Sequence, residues 1–335
     1  MRSIKVSEQD AGQRLDKYLL KYLPKASKGF IYKMLRKKNI KLNKGKATGN
    51  EKLVAFDVIE LFLSEETIAS FCDDVSEKRM DLPEIVYNED KGYIRCGRYT
   101  VGIIYEDEDI VILNKPAGLL SQKAVMSDIS LVDILEAYVK KNADNSHTSS
   151  IQKPGIVSRL DRNTSGLVAC GKTLKGLQEL SEAVRERRVE KTYRCIVNGR
   201  LTSGERLTGY LVKDERTNKV RLVSGASSDR YDRSDYIETE YDVIENYESS
   251  TYLSVKLITG KTHQIRAHLS SIGHPVAGDI KYGARKETGL NHFLLHSYML
   301  KFGEEKGALS KVSGKSFTAP VTNDIEKYIR REMKG

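Results

Sequence analysis

The stretch IVSRLDRNTSGLVACGKT, Ile156–Thr173, decides how the rest of the chain is read. An arginine and an aspartate follow a short apolar run, and a Thr-Ser-Gly turn leads straight back into a second apolar run. Asp161 is therefore expected at a bend between two buried segments. Desolvating an unpaired carboxylate costs far more than an ordinary contact returns, so this one must be paired or needed as a charge. Candidate partners stand downstream.

Working outward, VGIIYEDEDIVILNKPAGLLSQ (101–122) alternates strand-like runs with an acidic turn, and Lys115 and Pro116 read as structural scaffolding. Helical spacing covers Leu131 to Lys141 and again Leu174 to Arg188, where Leu177, Leu180 and Val184 face inward and RERR makes a dense basic end. The polar run NADNSHTSSIQKPG between these helices is a surface loop. KTYRCIVNG and TYLSVKLITG alternate as half-buried antiparallel strands do, with the polar insertion SGASSDRYDRSD between them.

With 335 residues the chain has room for two domains and a sizeable core. A net charge of +10 and a pI near 9.2 favour a polyanionic partner or an acidic surface. The charge is uneven: residues 1–64 hold 15 Lys/Arg against 6 Asp/Glu, whereas residues 65–100 hold 5 against 9. The opening MRSIKVSEQD has no apolar core of signal-peptide length, and no segment approaches the roughly 20 apolar residues that cross a bilayer, so a cytoplasmic protein is expected. Cys72, Cys96, Cys170 and Cys195 form no Cys-x-x-Cys pair and read as reduced, structural thiols.

Near the amino terminus Leu15, Tyr18, Leu19, Tyr22 and Leu23 recur at helical spacing until Pro24. Ser27 then caps a second helix with Phe30, Ile31, Met34 and Leu35 inward, and strand-like runs follow at 40–43 and 54–63. Lys25, Lys28, Lys33, Arg36, Lys37, Lys38, Lys41, Lys44 and Lys46 cluster over the second helix and the turn after it, where they could meet phosphates. This helix, helix, hairpin unit, with QRLDKYL near its start, is similar to the S-four-like RNA-binding domain. The organisation expected is a small α/β RNA-binding domain at 1–64, an irregular linker at 65–98 and a catalytic domain at 99–335.

The opening stretch resembles a motif of the RluA-type pseudouridine synthases, roughly His-Arg-Leu-Asp, two variable residues, then Thr-Ser-Gly-Leu. Arg159, Leu160, Asp161, Thr164, Ser165, Gly166 and Leu167 fit it, while Ser158 stands where many members carry histidine. TGKTHQIRAHLSSIGHPVAGDIKYG (259–283) resembles a second family pattern over its full length, with Lys261 in place of the usual arginine. Tyr193 matches the tyrosine of a Lys-x-Tyr motif, and Leu295-His296 a Leu-His pair.

The resemblance implies an α+β fold, with a mixed, largely antiparallel central sheet, flanking helices and a basic cleft. It implies that Asp161 is nucleophile or base, Arg266 its orienting counter-ion, Tyr193 a stacking platform and proton handler, and Leu295 a wall of the base pocket. Arg159, His263 and Lys261 are further candidates for substrate contact. The reaction isomerises uridine in RNA: the bond from C1′ to N1 breaks, the uracil turns, and C1′ rejoins at C5. No redox change is required, so no cofactor is expected. The carboxylate could attack C1′, act at the ring, or support a glycal route by proton abstraction. His263, His268 and His274 lack the short convergent spacing of a zinc site, and no metal is expected.

The implied partner is structured RNA, foremost large-subunit ribosomal RNA, with transfer RNA as the alternative; no membrane partner is expected, and the chain should act as a monomer. Two rival readings belong to other classes. A hydrolytic glycosidase needs two opposed carboxylates, and no second acid stands beside Asp161 in these motifs. A non-catalytic RNA-binding or assembly factor would not need Asp161, Tyr193 and Arg266 together.

Overall fold

The computed structural model describes residues 2–7, 10–71, 82–125, 127–143, 153–214, 219–223, 234–287 and 289–334. Two sheets organise them. The first belongs to the amino-terminal part: β1 (Arg2–Lys5), β2 (Ile40–Leu42), β3 (Gly45–Lys46) and β4 (Val58–Leu61) pair antiparallel in the order β1-β4-β2-β3. Helices α1 (Leu15–Tyr22) and α2 (Lys28–Arg36) pack on it through Leu15, Tyr18, Leu19, Ile31 and Leu35, and Ser27 accepts the Phe30 N–H as the expected cap. Asp16 is buried, and Arg14 and the Tyr32 hydroxyl at 2.8–3.0 Å compensate its charge.

The connector expected at 65–98 is more ordered than its composition suggested. Helix α3 (Glu65–Phe71) buries Ile68 in the amino-terminal core and stacks Phe71 on Phe30 with ring centroids 4.4 Å apart. Strands β5 (Ile85–Asn88) and β6 (Tyr93–Cys96) join the edge of the large sheet. The acidic, sparse apolar pattern hid these elements because none contributes more than two buried side chains. The intervening Cys72, like most of the loop at 142–155 and of the insertion at 224–235, lies outside the described residues.

The second sheet adds β7 (Tyr99–Glu106), β8 (Ile110–Lys115), β9 (Gly155–Ile156), β10 (Ser165–Gly171), β11 (Val189–Asn198), β12 (Glu205–Asp214), β13 (Lys219–Val223), β14 (Ser234–Asn246), β15 (Ser250–Leu257), β16 (Leu295–Phe302) and β17 (Ser316–Thr318). Its main path runs β13-β12-β14-β15-β11-β16-β10-β8-β7-β6-β5, with β17 beside β16 and β9 beside β10. Pairing is antiparallel except where β10 meets β16 in parallel. The architecture is the α+β, largely antiparallel one expected.

Strands β8 and β10 are apolar at nearly every position because both faces are covered. Val111, Leu113, Val168 and Cys170 face α4 (Leu131–Ala143), while Ile110, Ile112, Leu167 and Ala169 face α5 (Leu174–Arg185). Thr173 starts α5 by accepting the Gly176 N–H at 3.0 Å. Two further helices, α6 (Gln264–Ser271) and α7 (Asn323–Glu332), complete the layer set.

The close parallel contact of β10 with β16 requires glycine at 166. Gly166 has φ +107°, and a Cβ there would lie 2.2 Å from the Ser297 carbonyl oxygen. Gly166→Ala should therefore destabilise the protein by about 3 kcal/mol or more in chemical unfolding. An unchanged unfolding midpoint would contradict this account of the β10–β16 contact.

Candidate active site

Sheet order places β10, β16, β11 and β15 side by side, and the elements carrying the conspicuous residues converge where these strands meet. Asp161 lies on the bend that enters β10, Tyr193 is on β11, Leu295 begins β16, and Arg266 is on α6, just after β15. Together they line a cleft of about 1300 Å³.

The bend carrying Asp161 is held from beneath. Lys115 at the end of β8 is fully buried, and its ammonium donates to the carbonyls of Pro116, Leu119 and Arg162 at 2.8–3.1 Å. Burial pushes this amine down to about 7, with Asp161 pulling the other way; three carbonyl acceptors matched to three donors also favour the charged form. Ser121 exchanges two hydrogen bonds with the Leu160 backbone at 2.8 and 3.0 Å, and Gly118 N–H donates to the Arg162 carbonyl at 2.9 Å. The Thr164 N–H closes the turn on the Asp161 carbonyl. Lys115 and Pro116 are thus scaffold, and the scaffold fixes the aspartate's backbone.

Arg266 is the centre of the side-chain geometry. Its Nη1 donates to Asp161 Oδ2 at 2.7 Å, while Nε and Nη2 donate to the two oxygens of Asp279 at 2.6 and 2.8 Å. The rings of Tyr282 and Phe293 lie 4.8 and 4.2 Å from the guanidinium carbon. Burial works against the guanidinium's charge, but hydrogen bonds and attraction from Asp279 and Asp161 prevail and raise its pKa above the ordinary value. The fork satisfies a fully buried carboxylate with one edge and points a third donor at Asp161. Asp161 Oδ1 carries no hydrogen bond among the described residues, so one oxygen is left for a substrate.

His263 stands on the other side of the aspartate, with Nε2 3.7 Å from Asp161 Oδ2 and Nδ1 3.0 Å from the Tyr282 hydroxyl. Burial lowers its pKa, which keeps the ring neutral near pH 7. Its backbone is left-handed at φ +57°, a strained conformation costing about 1 kcal/mol or more. The other two histidines are engaged elsewhere: His268 Nδ1 meets Thr239 Oγ1 at 2.8 Å and His274 Nδ1 meets the Asn198 carbonyl at 2.9 Å.

Tyr193 is buried against Leu295, and burial pushes its phenol up to about 12 with the Ser297 hydroxyl pulling the other way. At neutral pH it is a proton donor and not a base. Ser158 and Arg159 line the cleft, Arg159 exposed at its lip. Lys261 sits at the rim as well, but its ammonium is tied to Asp235 at 2.6 Å. His296 turns away from the cleft and meets Ser165 Oγ at 2.9 Å. Overall, eight Lys/Arg and one carboxylate, Asp161, line the cleft among the described residues.

Three contributors were not singled out from the sequence. Asp279 and Tyr282 stand within the quoted GDIKYG, where a buried acid beside a strained glycine was the available signal; Gly278 has φ +82° and its absent Cβ would meet the His292 carbonyl at 2.6 Å. Phe293, the other ring over Arg266, carries no local pattern at all.

The seven amino-terminal cations Lys28, Lys33, Arg36, Lys37, Lys38, Lys41 and Lys44 lie on α2 and the β2–β3 region, exposed except for half-buried Lys41, whose ammonium sits 4.8 Å from the Phe62 ring. Among the described residues none pairs with a carboxylate.

Comparisons with known proteins converge on one family. A family model described as RNA pseudouridylate synthase matches residues 109–271. The ribosomal large subunit pseudouridine synthase C of Pasteurella multocida is 31% identical over 345 residues, covering 100% of this chain and 95% of that protein. The ribosomal large subunit pseudouridine synthase D of Borreliella burgdorferi is 33% identical over 235 residues, covering 68% of this chain and 69% of that protein. Among solved structures, human RNA Pseudouridylate Synthase Domain Containing 4 superposes with a TM-score of 0.55 at 22% identity, over 69% of this chain and 93% of that one, which speaks for the fold alone.

Removing the scaffold cation tests its role. Lys115→Met takes the ammonium donor from the Pro116, Leu119 and Arg162 carbonyls, of which Arg162 keeps the Gly118 N–H, and should cost about 3 kcal/mol of unfolding free energy. Wild-type stability in urea would contradict the scaffold role.

Proposed function

Because the chain belongs to the RNA pseudouridylate synthase family, we propose that Asp161 is the residue through which it converts uridine in RNA to pseudouridine. One observation carries this reading: the one carboxylate that lines this basic cleft among the described residues is held by Arg266, with its other oxygen uncommitted among them. That oxygen can attack C1′ or remove a proton for the glycal route. In either case the C1′–N1 bond breaks, the uracil turns, C1′ bonds to C5, and the proton on C5 is lost while N1 gains one. Arg266 orients the carboxylate. Tyr193 offers its ring to the turned base and its hydroxyl as a donor, and Leu295 closes the pocket.

The target must leave its stack, costing a few kcal/mol, so an already exposed uridine in structured RNA is the easier substrate. Relatives named for the large ribosomal subunit favour large-subunit ribosomal RNA as that substrate, with transfer RNA as the alternative, and ribosomal RNA work would place the enzyme in the cytoplasm. Every side chain of the site comes from one chain, so a monomer suffices. The glycosidase reading loses support because the second acid, Asp279, is buried and bound to Arg266 on both oxygens. His263 and Arg159 are placed to contact the nucleotide; Lys261, tied to Asp235, is a rim contact at most.

The amino-terminal unit, now extending through α3, serves as the RNA-binding domain, because the seven cations on α2 and the β2–β3 region have no carboxylate partner among the described residues. The body from β5 onward is the catalytic domain.

Two experiments test this. In tritium release from RNA labelled at C5 of uridine, wild type should be active, Asp161→Asn and Asp161→Ala lower by at least about 10³-fold, and Asp279→Asn lower by about 10²-fold through misplacement of Arg266. Equal rates for wild type and the Asp161 variants would remove Asp161 from the mechanism. Replacing Lys33, Arg36 and Lys37 together by Gln should flatten the salt dependence of RNA affinity by about 0.7 per lost phosphate contact. An unchanged slope would show that the amino-terminal unit does not touch the backbone.

A further inference from the structure

The corner between α5 and β11 forms one wall of the cleft and carries the basic run RERR, Arg185–Arg188. Its four residues are not equivalent. Arg185 pairs with Glu182 at 3.1 Å, and Arg188 pairs with Glu186 at 3.1 Å and with Glu305. Arg187 is exposed and lines the cleft, and its guanidinium has no ion pair or hydrogen bond among the described residues.

The backbone of Arg187 is left-handed, φ +61°, at the point where α5 ends: the Arg187 N–H donates to Val184 and the Arg188 N–H to Ala183. Helices that end this way favour glycine there, since a Cβ is strained. An arginine in that place forgoes the easier residue.

Lys191 lies four residues on, on the face of β11 that carries Tyr193, half-buried in the same cleft. Its neighbour Glu190 is taken by Lys256 and Lys301. Among the described residues no carboxylate, carbonyl or hydroxyl bonds the Lys191 ammonium. Burial lowers its pKa with nothing to offset the desolvation, so the charge lacks the partner that a ligand anion would supply.

We propose that Arg187 and Lys191 form a clamp for the phosphodiester backbone beside the flipped uridine, positioning the strand while Asp161 and Tyr193 hold the nucleotide. The proposal rests on the reading of this cleft as a uridine-isomerising site and adds the contacts that register the RNA in it. Phosphate is the fitting ligand because both groups are cations without a counter-charge, and ionised donors bond phosphate oxygens more strongly than neutral acceptors. The base itself has the apolar and aromatic wall of Leu295 and Tyr193.

The test uses the full-length protein and a large-subunit ribosomal RNA transcript labelled with tritium at C5 of uridine. Affinity is measured from about 50 to 200 mM salt, and turnover by tritium release. Arg187→Gln and Lys191→Gln should each weaken binding about tenfold and flatten the salt slope by about 1, with Lys191→Arg recovering most of the loss. Arg187→Gly should bind as poorly as Arg187→Gln yet melt no lower than wild type, which separates binding from folding. Lys301→Gln, paired with Glu190 outside the cleft, should match wild type in both. Unchanged slopes in the variants of an active enzyme overturn the clamp. So does a fall in turnover for Lys191→Gln with an unchanged slope, which would assign the ammonium to the uracil ring. If wild type binds but releases no tritium while the variants lose slope, the isomerase reading fails and the clamp stands.

Discussion

A single guanidinium shared by two carboxylates sets the terms for the rest of the protein. Asp161 and Asp279 would repel without a cation between them. Arg266 removes that conflict asymmetrically. The buried Asp279 takes two N–H groups and fixes the plane of the fork; Asp161, partly open to the cleft, takes one and keeps an oxygen uncommitted. A lysine at 266 would supply the charge but neither the plane nor the stacking between Tyr282 and Phe293. The same interaction therefore compensates a core charge and aims a reactive one.

That arrangement demands that residues 105 positions apart meet to within a hydrogen bond, and the fold supplies the means. The Asp161 bend is pinned to β8 by the buried Lys115 and to the following loop by Ser121. Beyond the bend, β10 approaches β16 so closely that only glycine fits at 166. On the other side, β15 runs beside β11 and delivers the chain to α6, whose first turn carries Arg266. Precision comes from two-sided burial of β8 and β10, which leaves little freedom for a slip in register.

Much of this was legible in the sequence where side-chain pattern and local structure coincide. The Asp161 bend, the Ser27 cap, β7 and β8 flanking the acidic turn, and the alternation in β11 and β15 all follow from spacing. The site residues Asp161, Arg266, Tyr193 and Leu295 were legible from their motifs and do converge on one cleft. What escaped depends on partners far apart in the chain. Ile68 and Phe71 look like linker residues until Phe30 is beside them. Lys115 reads as scaffold, but the three carbonyls around its ammonium leave no trace in composition. Lys261 looks available for phosphate until Asp235, at the end of a polar insertion, is found to bind it. Asp279 stood in a quoted motif, but only coordinates show that it occupies two thirds of the donors Arg266 offers to the pair.

Among the described residues the cleft is otherwise a place of positive charge around one negative group, and that contrast suits a polyanion. The most direct measurement is a crystal structure of Asp161→Asn bound to its substrate RNA. The account predicts an unstacked uridine in the cleft, its ring against Tyr193 and its C1′ about 3 to 3.5 Å from the side chain of residue 161, with Arg266 still bonded to both 161 and Asp279. A target base lying outside the cleft, or a ribose turned away from residue 161 with Arg266 bonded to a phosphate instead, would contradict it.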